Sequence, residues 1–456
     1  MKPRKAAVTA LNRILEQKKY SNEEVAYWLE QAKWMPEDQR LFIRLLYGTL
    51  EQLMLLDHVI QTNSKRLTQQ MNPMVLSILR VSAYQLLFMD RIPVYAAINE
   101  AVEMTKENHH RAAGFVNAVL RAIDRQKKTR TALVDPFNRS VKSLSLSYSH
   151  PKWMIRRLLD NYTEDEMAVI LKTHQEPPNL TIRLNTLKGS VESLTSELLN
   201  DGIFTEKTIW MPEALKVTSY NGLITGTASY AKGLFQIQSI SSMLAVHCLD
   251  PQPGELIIDV AAAPGGKSMH IAQRMNNQGM ILSRDISESR TRQIQAHAER
   301  LGCRMIQTEI WDGTRNDPIR KATADRVLLD APCSSLGMIR KKPELKYFKS
   351  EQEIESLPSL QLELLEKSAE LLKPGGILLY ATCTYLQEEN HRVVETFLKR
   401  HAEFSPLLNP LPEMNVMNPN PNNTGHLQIG PHIHPDLDGF FMAKMKKSEA
   451  GRSEHR

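Results

Sequence analysis

Three successive hydrophobic patterns along the chain predict a multidomain fold: an all-α bundle, a small α+β module, and a doubly wound, Rossmann-like α/β domain. Apolar residues recur at helical spacing through residues 6–123, the stretch Thr181–Asn185 alternates as a strand does, and from Glu255 onward short apolar runs alternate with helical ones. The expected boundaries are 1–130 for the bundle, 131–228 for linker helices and the module, 229–446 for the α/β domain, and 447–456 for a disordered tail. A chain of 456 residues is long enough for two or three separate cores.

In the first domain, Ala7, Ala10, Leu11, Ile14 and Leu15 share one helix face. Residues 38–56, 74–89, 96–106 and 113–123 repeat that pattern, and Pro93 interrupts the chain between two of them. Gln126–Arg130 is polar and basic and reads as a linker. Within the module, Thr181–Asn185 should place Arg183 and Asn185 on one strand face, Val191–Asn200 reads as a helix, and Leu215–Val217 reads as a second strand. Gly233–Val246 should open the last domain, with Phe235 and Ile237 on its first edge.

The central strands of that domain are expected at Glu255–Val260, Met280–Leu282, Arg304–Thr308, Arg326–Leu329 and Ile377–Tyr380. A helix over Gln361–Leu372 should stop at Lys373-Pro374-Gly375-Gly376, and Asn409–Gly430 reads as a surface loop before a closing strand at residues 439–445. Two turns, Asp330-Ala331-Pro332-Cys333 and Ala381-Thr382-Cys383-Thr384, each follow one of these strands. A parallel sheet opens its crevice at the carboxyl ends of its strands, so both thiols should reach one rim. Two free thiols there can serve nucleophilic catalysis, redox chemistry or packing.

Composition narrows the class. The hydrophobic fraction is 42%, and no apolar run approaches the roughly 20 residues of a membrane span. The amino terminus lacks the apolar core of a signal peptide, so a cytoplasmic protein is expected. The four cysteines, at 248, 303, 333 and 383, have no metal-ligand spacing. Free thiols and no metal are therefore expected, with Cys248 and Cys303 as packing residues. Residues 1–130 carry 20 Lys/Arg against 13 Asp/Glu, while the remainder carries 37 against 38. A basic end on a near-neutral body fits a polyanion partner. No coiled-coil repeat argues for oligomers, so a monomer is expected.

The stretch Ala261-Ala262-Ala263-Pro264-Gly265-Gly266-Lys267 joins a strand to a helix. Its glycines allow close backbone approach, and the helix amino terminus offers free N–H groups. It is neither a dinucleotide fingerprint nor a phosphate loop. Asp285 ends the next strand, where a carboxylate can accept from ribose hydroxyls. Asp312 follows the third strand and is a further pocket candidate.

Longer motifs carry a resemblance. The words "ILRVSAYQLLFMDRIPVYAAINEAVEMTK" and "GFVNAVLRAI" resemble the NusB RNA-binding domain, which implies a helical RNA-binding bundle over about the first 125 residues. That resemblance makes Arg4, Lys5, Arg80 and Arg121 candidate phosphate contacts, and Arg183 and Asn185 are candidate RNA contacts in the module. The words "DVAAAPGGKS", "LLDAPCSSLGMIRKKPELKY" and "LLYATCTYLQEEN", with "NLTIRLNT" and "FQIQSISS" upstream, resemble the Nop2/Sun class of RNA cytosine carbon-5 methyltransferases. The bundle in front of them is the arrangement of that class's bacterial 16S rRNA branch.

The resemblance implies an S-adenosylmethionine-dependent enzyme acting on 16S rRNA at one cytosine, 967 in the family's reference rRNA numbering. It implies Cys383 as nucleophile and Cys333 as the residue that releases product. It places the cofactor on Ala261–Lys267, Asp285, Asp312 and Asp330, with Lys267 and Asp330 also near the cytosine. Three positions depart from the usual pattern of the class: Ala261 for Cys, Ser268 for Thr, and Ser239 for Asp. A tRNA cytosine methyltransferase, a non-catalytic ribosome-assembly factor and a redox dithiol protein are the competing readings.

Overall fold

The computed structural model describes residues 1–126, 139–220, 222–407 and 425–449. Residues 127–130 of the expected linker, 409–424 of the expected loop and 450–456 of the expected tail lie outside them. The chain forms two compact units, residues 1–177 with 339–349, and residues 178–338 with 350–456.

The first unit is helical. Its helices are α1 (Pro3–Gln17), α2 (Ser21–Gln31), α3 (Pro36–Glu51), α4 (Leu53–Thr62), α5 (Pro73–Phe88), α6 (Val94–His109), α7 (Ala113–Arg125), α8 (Val141–Ser147), α9 (Lys152–Leu159) and α10 (Glu164–Thr173). The centre is α5, whose residues Val75–Leu79 and Val81–Leu86 are all buried. It starts cleanly because Asn72 accepts from the Met74 and Val75 amides at 3.0 and 3.3 Å, with Pro73 at the first helical position. Each buried Leu or Ile of this core contributes about 1.5–3 kcal/mol by leaving water.

Residues 339–349, expected in the α/β domain, instead pack with these helices. The reason lies in polar side chains that find backbone partners there. Lys346, fully buried, donates to the Glu51 carbonyl at 2.9 Å, Tyr347 donates to the Leu50 carbonyl at 2.8 Å, and Glu344 accepts from the Ser21 amide at 2.9 Å. Burial pushes the Lys346 ammonium down to about 7.

The second unit carries two sheets. The smaller contains β1 (Thr181–Leu184), β2 (Phe204–Lys207), β3 (Ala214–Ser219) and β4 (Phe235–Ile237) in the order β2-β3-β1-β4, all antiparallel, with α11 (Val191–Asn200) between β1 and β2. Phe235–Ile237 therefore belongs to the module rather than to the edge of the last domain. Ile182 pairs with Ile237, and Phe235 is buried in the module's core.

The larger sheet comprises β5 (Leu256–Asp259), β6 (Met280–Asp285), β7 (Ile306–Ile310), β8 (Ala324–Asp330), β9 (Leu372–Thr382), β10 (Phe404–Pro406), β11 (His426–Ile429) and β12 (Phe440–Lys447). Its order is β10-β12-β9-β8-β5-β6-β7, with β11 also on β12; β5 to β9 run parallel, and β12 is antiparallel to β9. Helices α12 (Ile240–Leu249), α13 (Gly266–Arg274), α14 (Glu288–Leu301), α15 (Glu351–Glu370) and α16 (His391–Arg400) accompany it.

Three local expectations shift. Helix α15 begins ten residues before the expected start, because Ser350 and Glu353 form a capping box and the helix accommodates Pro358. The Lys373–Gly376 stop is absorbed into β9 through a register irregularity opposite Ala324–Arg326. Part of the expected Asn/Pro-rich loop, His426–Ile429, is a strand on β12. The strand order reverses between β5 and β8, so the ligand crevice lies at their carboxyl ends.

Candidate active site

The turn after β5 is built for close approach. Gly265 takes a left-handed φ of 97° at the amino end of α13, a conformation glycine adopts without strain. The Ala263 amide donates to Asp285 at 3.3 Å, and Ser268 donates to Asp259 at 2.6 Å. A cavity of about 370 Å³ opens beside the turn, lined by Ala261, Ala263, Asp285, Trp311, Asp312 and Asp330 among others. Ala262, Pro264, Gly265 and Gly266 shape the turn without lining that cavity. Asp312 is held ionised chiefly by hydrogen bonds from the Thr314 hydroxyl and amide.

Asp259 is fully buried, and burial raises its carboxyl to about 7. Because the folded value exceeds the ordinary 3.8, this group's stability contribution is complete in acid and is lost as pH rises through about 7. Asp259→Asn should therefore gain on wild type between pH 5 and pH 8, by about 1–3 kcal/mol at about 1.4 kcal/mol per pH unit. Identical pH dependence of melting in the two proteins would refute a neutral Asp259.

The two thiols meet. Cys333 Sγ and Cys383 Sγ lie 3.3 Å apart, both half-buried, with Ser335 Oγ 3.5 Å from Cys383 Sγ. They are not equivalent. The hydrogen bond from Cys333 lowers the Cys383 pKa, with smaller help from Ser335 and Lys267 outweighing burial. The same contact, together with burial, drives Cys333 upward. Lys267, in the first turn of α13, forms an ion pair with the cavity-lining Asp330 and lies 5.3 Å from the Phe440 ring centroid. Burial works to lower its pKa, but the Asp330 carboxylate outweighs that and the net shift is upward.

A buried acid that the sequence reading did not single out holds the two cysteine turns together. Glu389 accepts from the Ser334 amide at 2.8 Å, from Gln361 at 2.9 Å and from the Thr384 hydroxyl at 3.2 Å. Gln361 also donates to the Pro332 carbonyl at 3.0 Å, and Ser334 and Thr384 share a 2.7 Å hydroxyl contact. The signal was the "QEEN" end of the third motif, whose acid finds its partners only through this long-range network.

Ser335 has φ of 61°, a strained backbone for a residue with a Cβ. Replacing it with glycine should stabilise the protein by about 1 kcal/mol while raising the Cys383 thiol pKa, read by pH-dependent alkylation at Cys383. An unshifted alkylation profile would mean that the hydroxyl has no influence on the thiol.

The expected RNA contacts fare differently. Arg183 and Asn185 do share a neighbourhood, but both are fully buried, which corrects their assignment to an RNA face. Arg183 donates to Gln238, to Gln273 at 2.8 Å and to the Gly266 carbonyl at 3.0 Å; Asn185 donates to the Gly233 and Leu301 carbonyls at 2.8 Å. All of these partners are within the fold, Arg183 Nη2 is buried without one, and through the Gly266 carbonyl Arg183 braces the glycine turn. In the helical unit, Arg80 forms a two-pronged pair with Asp57 at 2.7 Å, Arg4 binds Gln85 and Glu100, and Lys5 pairs with Glu107. Arg121 reaches Asn117 at 3.1 Å and is exposed.

Comparison with known proteins matches this architecture part by part. Residues 1–125 match the NusB family, 150–222 the RsmF/B-like ferredoxin-like domain, and 246–446 the 16S rRNA methyltransferase RsmB/F family. The probable ribosomal RNA small subunit methyltransferase B of Bacillus subtilis (strain 168) is 36% identical over 450 residues, 97% of this chain and 98% of its own. The chain belongs to the ribosomal RNA small subunit methyltransferase B family. The enzyme of that name from Serratia proteamaculans is 31% identical over 90% of this chain and 91% of its own. A crystal structure of a methyltransferase homologue from Pyrococcus horikoshii is 32% identical, covers 68% of this chain and all of its own, and superposes with a TM-score of 0.60.

As a methyltransferase B family member, the chain keeps the local chemistry at its departures. Ser239 caps α12 by accepting from the Ser242 amide at 3.3 Å, a task serine and aspartate share. Ser268 still supplies the hydroxyl that binds Asp259, and Ala261 borders the cavity. Among the described residues no helix is long and apolar enough to cross a membrane.

Proposed function

We propose that this rRNA methyltransferase transfers a methyl group from S-adenosylmethionine to carbon 5 of one cytosine in 16S rRNA, through a covalent bond between Cys383 and carbon 6 of the base. The observation that carries this reading is the meeting of two unequal thiols 3.3 Å apart at the rim where the Lys267–Asp330 pair and the cavity converge. The donor set suits a nucleoside: Asp285 and Asp312 can accept from hydroxyl and amino groups, and Trp311 offers an aromatic wall. When bound, S-adenosylmethionine supplies an electrophilic methyl group.

The chain's own residues do the rest. Cys383, favoured as thiolate, attacks carbon 6 while ring nitrogen 3 takes up a proton from water and holds it in a hydrogen bond to Asp330, which makes carbon 5 nucleophilic; the nitrogen releases that proton as carbon 5 takes the methyl group. After methylation a base takes the carbon 5 proton, the carbon–sulfur bond breaks, and Cys383 leaves as thiolate. Cys333 is the group in reach for that proton: once Cys383 is bonded to carbon it no longer carries the charge that drives Cys333 upward, so Cys333 can lose its own proton to water and accept the carbon 5 proton as thiolate. A base inside a helix cannot reach a half-buried thiol, so a flipped or loop cytosine is the expected substrate.

Methyl transfer from tritiated S-adenosylmethionine to unmethylated 16S rRNA tests the reading, with product nucleosides identified after digestion. The expected product is 5-methylcytidine at one site in 16S rRNA. Label in tRNA alone would favour the tRNA enzyme, and no transfer to either would favour a non-catalytic assembly factor.

A further inference from the structure

We propose that Glu213, His247 and His270 bind one divalent transition-metal ion of the zinc class (Zn²⁺, Co²⁺ or Ni²⁺) at a site separate from the thiols. Glu213 precedes β3, His247 lies in α12 and His270 in α13. Glu213 Oε1 is 2.8 Å from His247 Nε2 and 3.4 Å from His270 Nε2, and the three ligand atoms all lie within 4.8 Å of one another. Metal–nitrogen bonds of about 2.0–2.1 Å set neighbouring donors of a tetrahedral ion about 3.3 Å apart, so small side-chain adjustments suffice. Two imidazoles and one carboxylate are a donor set that borderline divalent metals favour.

Burial and anchoring support the site. His270 is 1% exposed, while His247 and Glu213 are 17% and 15% exposed, leaving a path for an ion and a water ligand. His270 Nδ1 is buried without a hydrogen-bond partner, so the Nε2 side facing Glu213 is what orients the ring. The carboxylate is well placed because the Glu213 carbonyl accepts from the Leu184 amide at 2.8 Å in the module's sheet. Arg274 Nη1 sits 3.3 Å from His247 Nδ1, and that guanidinium must yield the lone-pair contact when the imidazole binds metal through Nε2; Asp250, 3.7 Å from Arg274, is the partner it keeps. The buried Arg183 guanidinium, near enough to affect His270, opposes a second positive charge, and the Glu213 carboxylate offsets it. The ion would tie the ferredoxin-like module to two helices of the α/β domain. Sequence separations of 34 and 57 residues hide the trio from any contiguous metal motif.

The test uses the untagged full chain, stripped with a chelator and titrated with Zn²⁺ and Co²⁺. The expected result is one bound equivalent, a higher melting temperature, and a Co²⁺ spectrum without thiolate charge-transfer bands. His247→Gln and Glu213→Gln should each abolish binding while melting, metal-free, within a few degrees of wild type. No binding by wild type overturns the proposal. Binding that survives both variants but disappears in Cys333→Ser also overturns it, since the thiol pair would then be the ligand.

Discussion

Cys383→Ala should lose methyl transfer by about 10⁴-fold or more, whereas Cys333→Ala should methylate its substrate once and remain attached to it. The first variant removes the proposed nucleophile. The thiol beside it is a poor substitute, because burial and the Glu389 charge still hold its pKa up once the Cys383 contact is gone. In the second, Cys383 stays at the rim, but the neighbouring thiol 3.3 Å away, the proposed acceptor of the carbon 5 proton, is gone. The covalent product then persists as a protein–RNA species resistant to denaturing electrophoresis. Labelling separates the outcomes: methyl label in the adduct for Cys333→Ala, and neither label nor adduct for Cys383→Ala. An adduct with Cys383→Ala and none with Cys333→Ala would reverse the two roles. Two inactive variants without an adduct would sink the covalent mechanism.

Asp330→Asn should reduce turnover by about 10²–10⁴-fold, the range for losing a positioned acid–base group. The aspartate faces two tasks at once, since it lines the cavity and pairs with Lys267. Without the carboxylate, burial is left as the dominant influence on Lys267, so its ammonium should titrate at lower pH than in wild type. The pH–rate profile of the variant should therefore lose its alkaline limb earlier. Asp330 is partly exposed, 32% by side chain, so the stability cost should stay near about 1 kcal/mol. Lys267→Ala and the double variant complete a cycle. Additive losses would show that the pair does not act as a unit, and an unchanged rate in Asp330→Asn would remove the aspartate from the mechanism.

Much of this site was legible along the chain because strand, turn and helix signals are local. The apolar runs Arg326–Leu329 and Ile377–Tyr380 predicted parallel strands, and the βαβ connection alone sent Cys333 and Cys383 to one edge. The glycine turn and Asp285 followed from the same rule, and the helical period foretold the amino-terminal bundle. Motif resemblance, not periodicity, supplied the expected chemistry, the expected cofactor and the proposed nucleophile.

Tertiary structure alone decided what depends on partners far away in sequence. Alternation put Arg183 and Asn185 on a strand but could not say that helix α13 would cover them, turning expected RNA contacts into braces of the glycine turn. Strand Phe235–Ile237 read as the start of a new domain, yet its open backbone edge was completed by Thr181–Leu184 more than fifty residues earlier. The placement of residues 339–349 among the helices rests on Lys346 and Tyr347 reaching carbonyls about three hundred positions away. Glu389 became the clasp of both cysteine turns in the same way. The sequence by itself determined which elements form and where their ends point, because those follow from short-range periodicity and chirality. Burial, register and the 3.3 Å meeting of the thiols required the folded chain, because long-range packing alone decides which polar group finds a partner.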